Sequence, residues 1–317
     1  MIRILPILIF FLSPLSLFAM SAVVIESHGA STVLFPKGVS EAARLGMELP
    51  KETRLQTKKG GSVTLLQMDG ALLRFREGTE YQVGKKEGKE KNQNQKIFLP
   101  AWREVERITG NGPTPSGVQK MFPPRYGKLR ILPLMGGIEG VYPRETALLF
   151  KNNLHFEWRA SVLSGKNLRI VLFQSGREHV GFPISVTDRK KTISTQKMGI
   201  KKNEEYYWYI GEEVGSGKYV GKSQRFSFSV LSRTQEVQLQ KELQEIQSVG
   251  LSTKEGANFL TALVYYRFRM FSEMAAHLEP LYQKYKTPAL QRLLFLSYIK
   301  MGRIKEAKRY EFSGRGS

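Results

Sequence analysis

Lys58-Lys59-Gly60-Gly61-Ser62 sets two cations beside two glycines and a hydroxyl, the residue types of a loop that cradles phosphate. The order of the residues argues against that chemistry. A phosphate loop runs strand, G-x-x-x-x-G-K-[ST], helix, whereas here the lysines come first and the strand-like Ser62-Val63-Thr64-Leu65-Leu66 follows. Gly60 and Gly61 therefore read as a turn. Glu204 and Glu205 are the next candidates, as the two carboxylates of a glycan hydrolase, but neighbours in a strand face opposite ways and make a poor acid–base couple. The histidines His28, His155, His179 and His277 lie far apart with no metal-ligand spacing. There is no cysteine, which removes thiol nucleophiles, zinc–thiolate sites, disulfides and a lipid-modified cysteine anchor together. Only Asp69 and Asp188 are aspartates, so calcium loops and two-metal hydrolase sites gain no support. The expectation is a chain that is not an enzyme, with no catalytic residue, no cofactor and no metal.

The elements around these residues fall into segments. Residues 1–21 have one charge, Arg3, then an apolar run from Ile4 to Phe18 and small residues at Ala19, Ser21 and Ala22. This is the layout of a secretory signal peptide cut after Ser21, and no later stretch is apolar enough to span a bilayer. The alternative is an uncleaved N-terminal anchor. The formal net charge of +21 is spread along the chain: residues 22–100 carry 13 basic and 9 acidic groups, 101–231 carry 21 and 11, and 232–317 carry 14 and 8. An even excess suits an anionic cell-wall or lipopolysaccharide polymer more than nucleic acid, which asks for a denser basic stripe.

Within 22–84, Val23-Val24-Ile25 and Ser31-Thr32-Val33-Leu34 flank the turn residues His28-Gly29-Ala30, and Ser62–Leu66 and Ala71–Phe75 flank Met68-Asp69-Gly70, a hairpin signal. Gly46, Leu49, Leu55, Thr57, Gly61, Ser62, Val63, Leu65, Asp69, Gly70 and Leu72 occupy the places of the G-x-x-L, L-x-T, G-G-S-V-x-L, D-G and L-x-L elements of the FecR-type β-domain, which this stretch resembles. The best-known members of that family are membrane regulators with a cytoplasmic N-terminus. Here only Met1 to Arg3 precede the apolar run, so the resemblance implies a periplasmic β-module without that regulatory circuit.

Residues 85–125 read as linker: Lys85–Gln95 is charged and aperiodic, and Gly110–Gly127 is rich in Gly and Pro. From 126 to 231 the strand patterns return in Leu154–Trp158, Asn167–Phe173, Tyr206–Ile210 and Arg225–Leu231. Their order, with a Trp early and Tyr-x-Trp late, resembles immunoglobulin or fibronectin type III-like modules, which implies a β-sandwich with Trp158 and Trp208 in its core. A sugar-stacking platform of Tyr206, Tyr207 and Tyr209 is the functional alternative for the same strand.

Residues 232–317 change to helical period. Leu239, Leu243, Ile246 and Val249 share one face up to Gly250; Ser252-Thr253-Lys254-Glu255 reads as a capping box for a helix to about Phe271; helices over about 272–285 and 289–300 and one from Ile304 follow. Tyr298, Gly302, Ile304 and Ala307 match part of a tetratricopeptide repeat, which this region resembles, and Tyr265, Phe271 and Met274 hold comparable places about one 34-residue repeat earlier, with Arg269 where glycine is usual. A plain helical hairpin array packed on the sandwich is the other reading. Stacked helix pairs imply a face for a peptide or protein, and Tyr265, Arg269, Tyr298 and Arg303 are the candidate partner-binding residues.

The expected whole is a multidomain, mainly β protein with a C-terminal α-helical segment. It is exported, periplasmic or outer-membrane-associated, and binds an envelope protein or peptide as a scaffold. A glycan- or lipopolysaccharide-binding role through the basic surface is the alternative, and a hydrolase the least favoured.

Overall fold

The structure, a computed structural model, describes residues 20–67, 71–84, 138–160, 165–174, 180–215 and 217–311. The apolar run of the expected signal peptide, the Asp69-Gly70 turn, the linker Lys85–Gln95, the Gly110–Gly127 break and His179 lie outside the described residues. The architecture is several sheets, antiparallel but for one parallel strand pair, followed by helices that are mostly C-terminal, as the change of period requires.

The N-terminal strands are β1 (Met20–His28), β2 (Ser31–Leu34), β3 (Ser40–Ala42), β4 (Glu48–Pro50), β5 (Arg54–Thr57), β6 (Ser62–Gln67), β7 (Leu72–Phe75) and β8 (Glu80–Gln82). They form two sheets, in the orders β4-β1-β6-β7 and β3-β2-β5-β8. Val24, Leu49, Val63 and Leu65 from the first and Val33, Leu55 and Tyr81 from the second meet in one core. Gly60, at φ +72°, and Gly61 turn the chain from β5 into β6, with Gly61 N–H donating to Lys58 O at 2.8 Å, so the lysine–glycine stretch is a turn. β6 and β7 pair antiparallel on either side of Asp69-Gly70. Gly29 and Ala30 also separate two strands, but β1 and β2 enter different sheets and do not form a hairpin.

The middle strands are β9 (Ile138–Tyr142), β10 (Thr146–Leu148), β11 (Asn153–Ala160), β12 (Leu168–Phe173), β13 (Val180–Pro183), β14 (Lys190–Ser194), β15 (Glu205–Gly215), β16 (Lys218–Gly221) and β17 (Phe226–Val230), with a one-turn helix α1 (Thr195–Met198). One sheet runs β10-β17-β15-β12-β13 with β16 on β15; the other is β14-β11-β9. Strict alternation sends Phe156 and Trp158 of β11 against Ile170, Trp208, Ile210 and Phe228 of the larger sheet. Trp158 and Trp208 are core, and Trp208 Nε1–H donates to Pro143 O at 2.7 Å.

The helices are α2 (Arg233–Ser248), α3 (Lys254–Arg267), α4 (Phe271–Tyr285), α5 (Pro288–Lys300) and the single turn α6 (Ile304–Ala307). The capping box of this region lies on α2, where Ser232 and Gln235 exchange side-chain and backbone hydrogen bonds. At α3 the cap is Thr253, which accepts from Gly256 N–H at 3.1 Å; the Ser252 hydroxyl is drawn instead to Glu26. α3 stops at Arg267, short of Phe271, because Arg269 takes the left-handed conformation at φ +60°. Gly302 does the same at φ +66° between α5 and α6. α5 starts 34 residues after α3 (288 against 254), so the two helical hairpins repeat nearly in step.

The helical core is not separate from the strands. Val23, Ile25, Leu66 and Leu72, on the face of the β4-β1-β6-β7 sheet opposite its own core, join Ala147 of β10 and Phe259, Leu263, Leu278 and Leu294 of the helices in one apolar cluster. The helices are therefore a shared layer that covers one sheet of the N-terminal module and meets one end of the middle module.

Candidate functional site

Two seams hold the helices. At the N-terminal module, Glu26 of β1, 3% exposed, accepts from Ser252 N–H (2.7 Å), Ser252 Oγ–H (2.8 Å), Thr253 N–H (2.8 Å) and Thr64 Oγ1–H (3.1 Å). The carboxylate meets the amide-rich start of α3, where negative charge is favoured. Burial pushes the Glu26 carboxyl up, but the hydrogen bonds from Ser252, Thr64 and Thr253 outweigh it and hold it below the ordinary value. Arg292 of α5 pairs with Glu48 of β4 at 2.8 Å, and Arg74 donates to Gly250 O at 2.9 Å.

The middle module uses the two left-handed turns. Ala147 N–H and Thr146 Oγ1–H donate to Arg269 O at 2.9 and 3.2 Å, and the Thr146 oxygen accepts from Phe271 N–H at 3.1 Å. One repeat on, Arg144 Nη2–H donates to Gly302 O at 2.6 Å. Arg159 and Arg303 share Glu306 at 2.6 and 2.8 Å. This seam leaves two openings.

The first is a partly enclosed cleft of about 250 Å³ between the β14-β11-β9 sheet and α3–α4. Its walls include Tyr142, Phe150, His155 and Tyr265, with Lys151 and Glu273 as the charged groups. Glu273 Oε2 is out of reach of solvent and has no hydrogen-bond partner. Burial pushes the Glu273 carboxyl above its ordinary value, against the opposing pull of its own backbone N–H and of Lys151. Burial, with the Glu273 charge adding to it, likewise raises the phenols of Tyr142 and Tyr265. His155 Nδ1 lies 3.3 Å from Thr192 Oγ1.

The second is an open groove of about 810 Å³ on the other side of β10 and β17, reaching the α3–α4 turn. Arg225, Tyr207, Phe268 and Arg269 line it together with Glu145 and Glu205. Tyr207 stacks on Phe173 (centroids 5.4 Å apart) and Arg225 lies over the Phe173 ring at 5.1 Å. Glu145 accepts from Ser227 Oγ–H at 2.7 Å, and Glu205 from Tyr207 O–H at 3.1 Å.

The four residues singled out from sequence are thus dispersed. Tyr265 lines the enclosed cleft and Arg269 the open groove. Tyr298 is 6% exposed, lies parallel to Tyr310 at 5.7 Å, donates to Glu279 and carries the Arg303 guanidinium over its ring at 5.1 Å. Tyr298 and Arg303 are brought together, within the helical packing. Of the aromatic strand, Tyr206 faces the core, while Tyr207 and Tyr209 share the outer face, where Tyr209 is also buried. Glu204 and Glu205 both border the groove. Sequence reasoning missed Glu273, Tyr142 and Glu26; Glu26 was legible as the one acid closing an apolar strand run, Ala22-Val23-Val24-Ile25-Glu26. Among the described residues no group of His, Asp and Glu could hold a metal ion, and no helix is long and apolar enough to cross a membrane.

No family model and no curated protein matches the sequence. Among solved structures, a β-1,2-glucanase from Parabacteroides distasonis is similar at 11% identity and a TM-score of 0.21, over 92% of this chain and 49% of that one. The chain spans about half the length of that enzyme, and a likeness this slight carries no argument about fold or activity.

Proposed function

We propose that the chain is an exported, non-enzymatic envelope protein that serves as a protein-binding scaffold. The open groove carries this reading: about 810 Å³ of accessible space, walled by guanidinium, carboxylate and aromatic groups side by side, suits an extended peptide. Its floor is the larger middle sheet and its end wall is the α3–α4 turn, so the occupant would rest on two parts of the molecule that a common seam holds still. The finer resemblances belong to the same reading: a FecR-type N-terminal β-domain, an immunoglobulin or fibronectin III-like β-sandwich, and tetratricopeptide-like helical hairpins. The 34-residue step of α3 to α5 supports the last. Export rests on the residue pattern of 1–21. Cleavage after Ser21 would start the mature chain at Ala22, just past the register shift between Met20 and Ala22, and would spare the ladder from Ala22 to His28.

A second reading, an envelope glycan or lipopolysaccharide as occupant, is favoured by the stacked Phe173–Tyr207 pair under Arg225 in the same groove. A photoreactive amino acid at position 268, activated in living cells, separates the two. Discrete protein adducts of defined mass are the expected outcome. A polydisperse, periodate-staining adduct would assign the groove to glycan, and a chain that forms neither adduct would refute both readings.

A further inference from the structure

We infer that the enclosed cleft binds a primary alkylammonium group, with Glu273 as its counter-charge. The cleft, about 250 Å³, has room for a short alkyl chain and its head group. Among the described residues Glu273 is the only acid on its walls, and Oε2 is buried without a hydrogen bond. A buried carboxylate oxygen left in this state is costly, and a charged donor removes the cost by neutralising and hydrogen-bonding it at once. A neutral hydroxyl would supply only the hydrogen bond. The aromatic rings of Tyr142 and Tyr265, close enough to feel the Glu273 charge, add faces that attract a cation and shelter a methylene chain. Lys151, on the cleft wall, is exposed and acts on the Glu273 carboxyl through its charge, so it biases the site without filling it. The net charge of +21 sharpens the inference, because the diffuse field of a positive chain repels a cation and cannot mimic specific uptake. The ammonium group has two possible sources, a free amine or the lysine side chain of a bound protein. The inference stands on this cleft alone and does not depend on the occupant of the open groove.

Calorimetric titration of the full chain with n-pentylammonium, 1-pentanol and the peptide acetyl-Gly-Lys-Gly-amide tests it. Saturable one-to-one binding of pentylammonium, at least about tenfold tighter than pentanol, is expected. Glu273→Gln should abolish that preference, and Lys151→Glu, on the exposed rim, should tighten ammonium binding several-fold without disturbing the fold. A peptide that binds more tightly than the free amine identifies a protein lysine as the source; the reverse identifies a soluble amine. Equal binding of alcohol and ammonium, no saturable binding by either the natural chain or Lys151→Glu, or an unchanged ammonium preference in Glu273→Gln would each overturn the inference. Should Glu273→Gln lower the unfolding midpoint, Lys151→Glu decides alone.

Discussion

The two seams solve the same problem with a different balance of means. At the N-terminal module a buried side chain, Glu26, reaches into the start of a helix and gathers donors from Ser252, Thr253 and Thr64. At the middle module the segment Arg144–Ala147, leading into β10, reaches two main-chain carbonyls, those of Arg269 and Gly302, through the Arg144 guanidinium, the Thr146 hydroxyl and the Ala147 N–H. A side-chain clamp lets the surfaces close around it, and Val23, Ile25, Leu66 and Leu72 pack directly on the helices. Docking through turn carbonyls holds backbone positions one repeat apart and leaves side-chain space on either side of β10. Both candidate sites occupy that space. The joint that fixes the fold and the joint that offers room for a ligand are thus different joints.

If this contrast is right, Glu26→Ala should have the largest effect, about 3 kcal/mol lost in denaturant unfolding of the full chain, since it strands buried donors at a helix start. A loss no larger than that of an exposed-site control would place the clamp elsewhere. Thr146→Val should cost less, about 1.5 kcal/mol, by depriving the Phe271 N–H of its acceptor while keeping the side chain's shape. A pH series separates the seams by sign. Glu26 sits below its ordinary value in the folded chain, so its contribution is present at neutral pH and is lost as the pH falls through the lowered value. Glu273 sits above its ordinary value, so its contribution is present in acid and is lost as the pH rises through the raised value. The stability deficit of Glu26→Gln should therefore shrink in acid, while any stability gain of Glu273→Gln should grow from acid toward neutrality. Parallel pH profiles would erase the distinction. The smallest effect is expected at Arg269, whose left-handed backbone is uncommon for a residue with a Cβ. Arg269→Gly should stabilise the chain by about 0.5–1 kcal/mol, read as a raised unfolding midpoint.

Much of the fold was legible because the side-chain period is a local property. Leu154–Trp158 alternates and lies in β11, Arg225–Leu231 alternates and holds β17, and the helical face Leu239–Leu243–Ile246 marks α2. The end of α3 was misplaced, since nothing local announces that a residue as bulky as Arg269 will take a left-handed turn. The α3 cap falls on Thr253 rather than on Ser252 for a similar reason. Ser252 has a competing acceptor in Glu26, 226 positions away, and long-range partners leave no periodic trace. The uninterrupted apolar pairs in Val23-Val24-Ile25 and Leu65-Leu66 did carry a signal, that these strands are buried on both faces. The sites were less legible still. The enclosed cleft joins Tyr142, His155 and Glu273, residues of β9, β11 and α4 whose types say nothing until the sheets and helices bring them to one wall.

The shared helical layer also governs how the molecule can be made. A ribosome emits β1 more than 200 residues before α3, whose first amides Glu26 must receive. Until then Val23, Ile25, Leu66 and Leu72 form a bare apolar face on an otherwise finished pair of sheets. Contacts of such long sequence separation form late and slow the approach to the native state. The nascent N-terminal module must therefore be kept from joining its exposed face to that of another chain, and full resistance to proteolysis should arrive only when the last helices close over it.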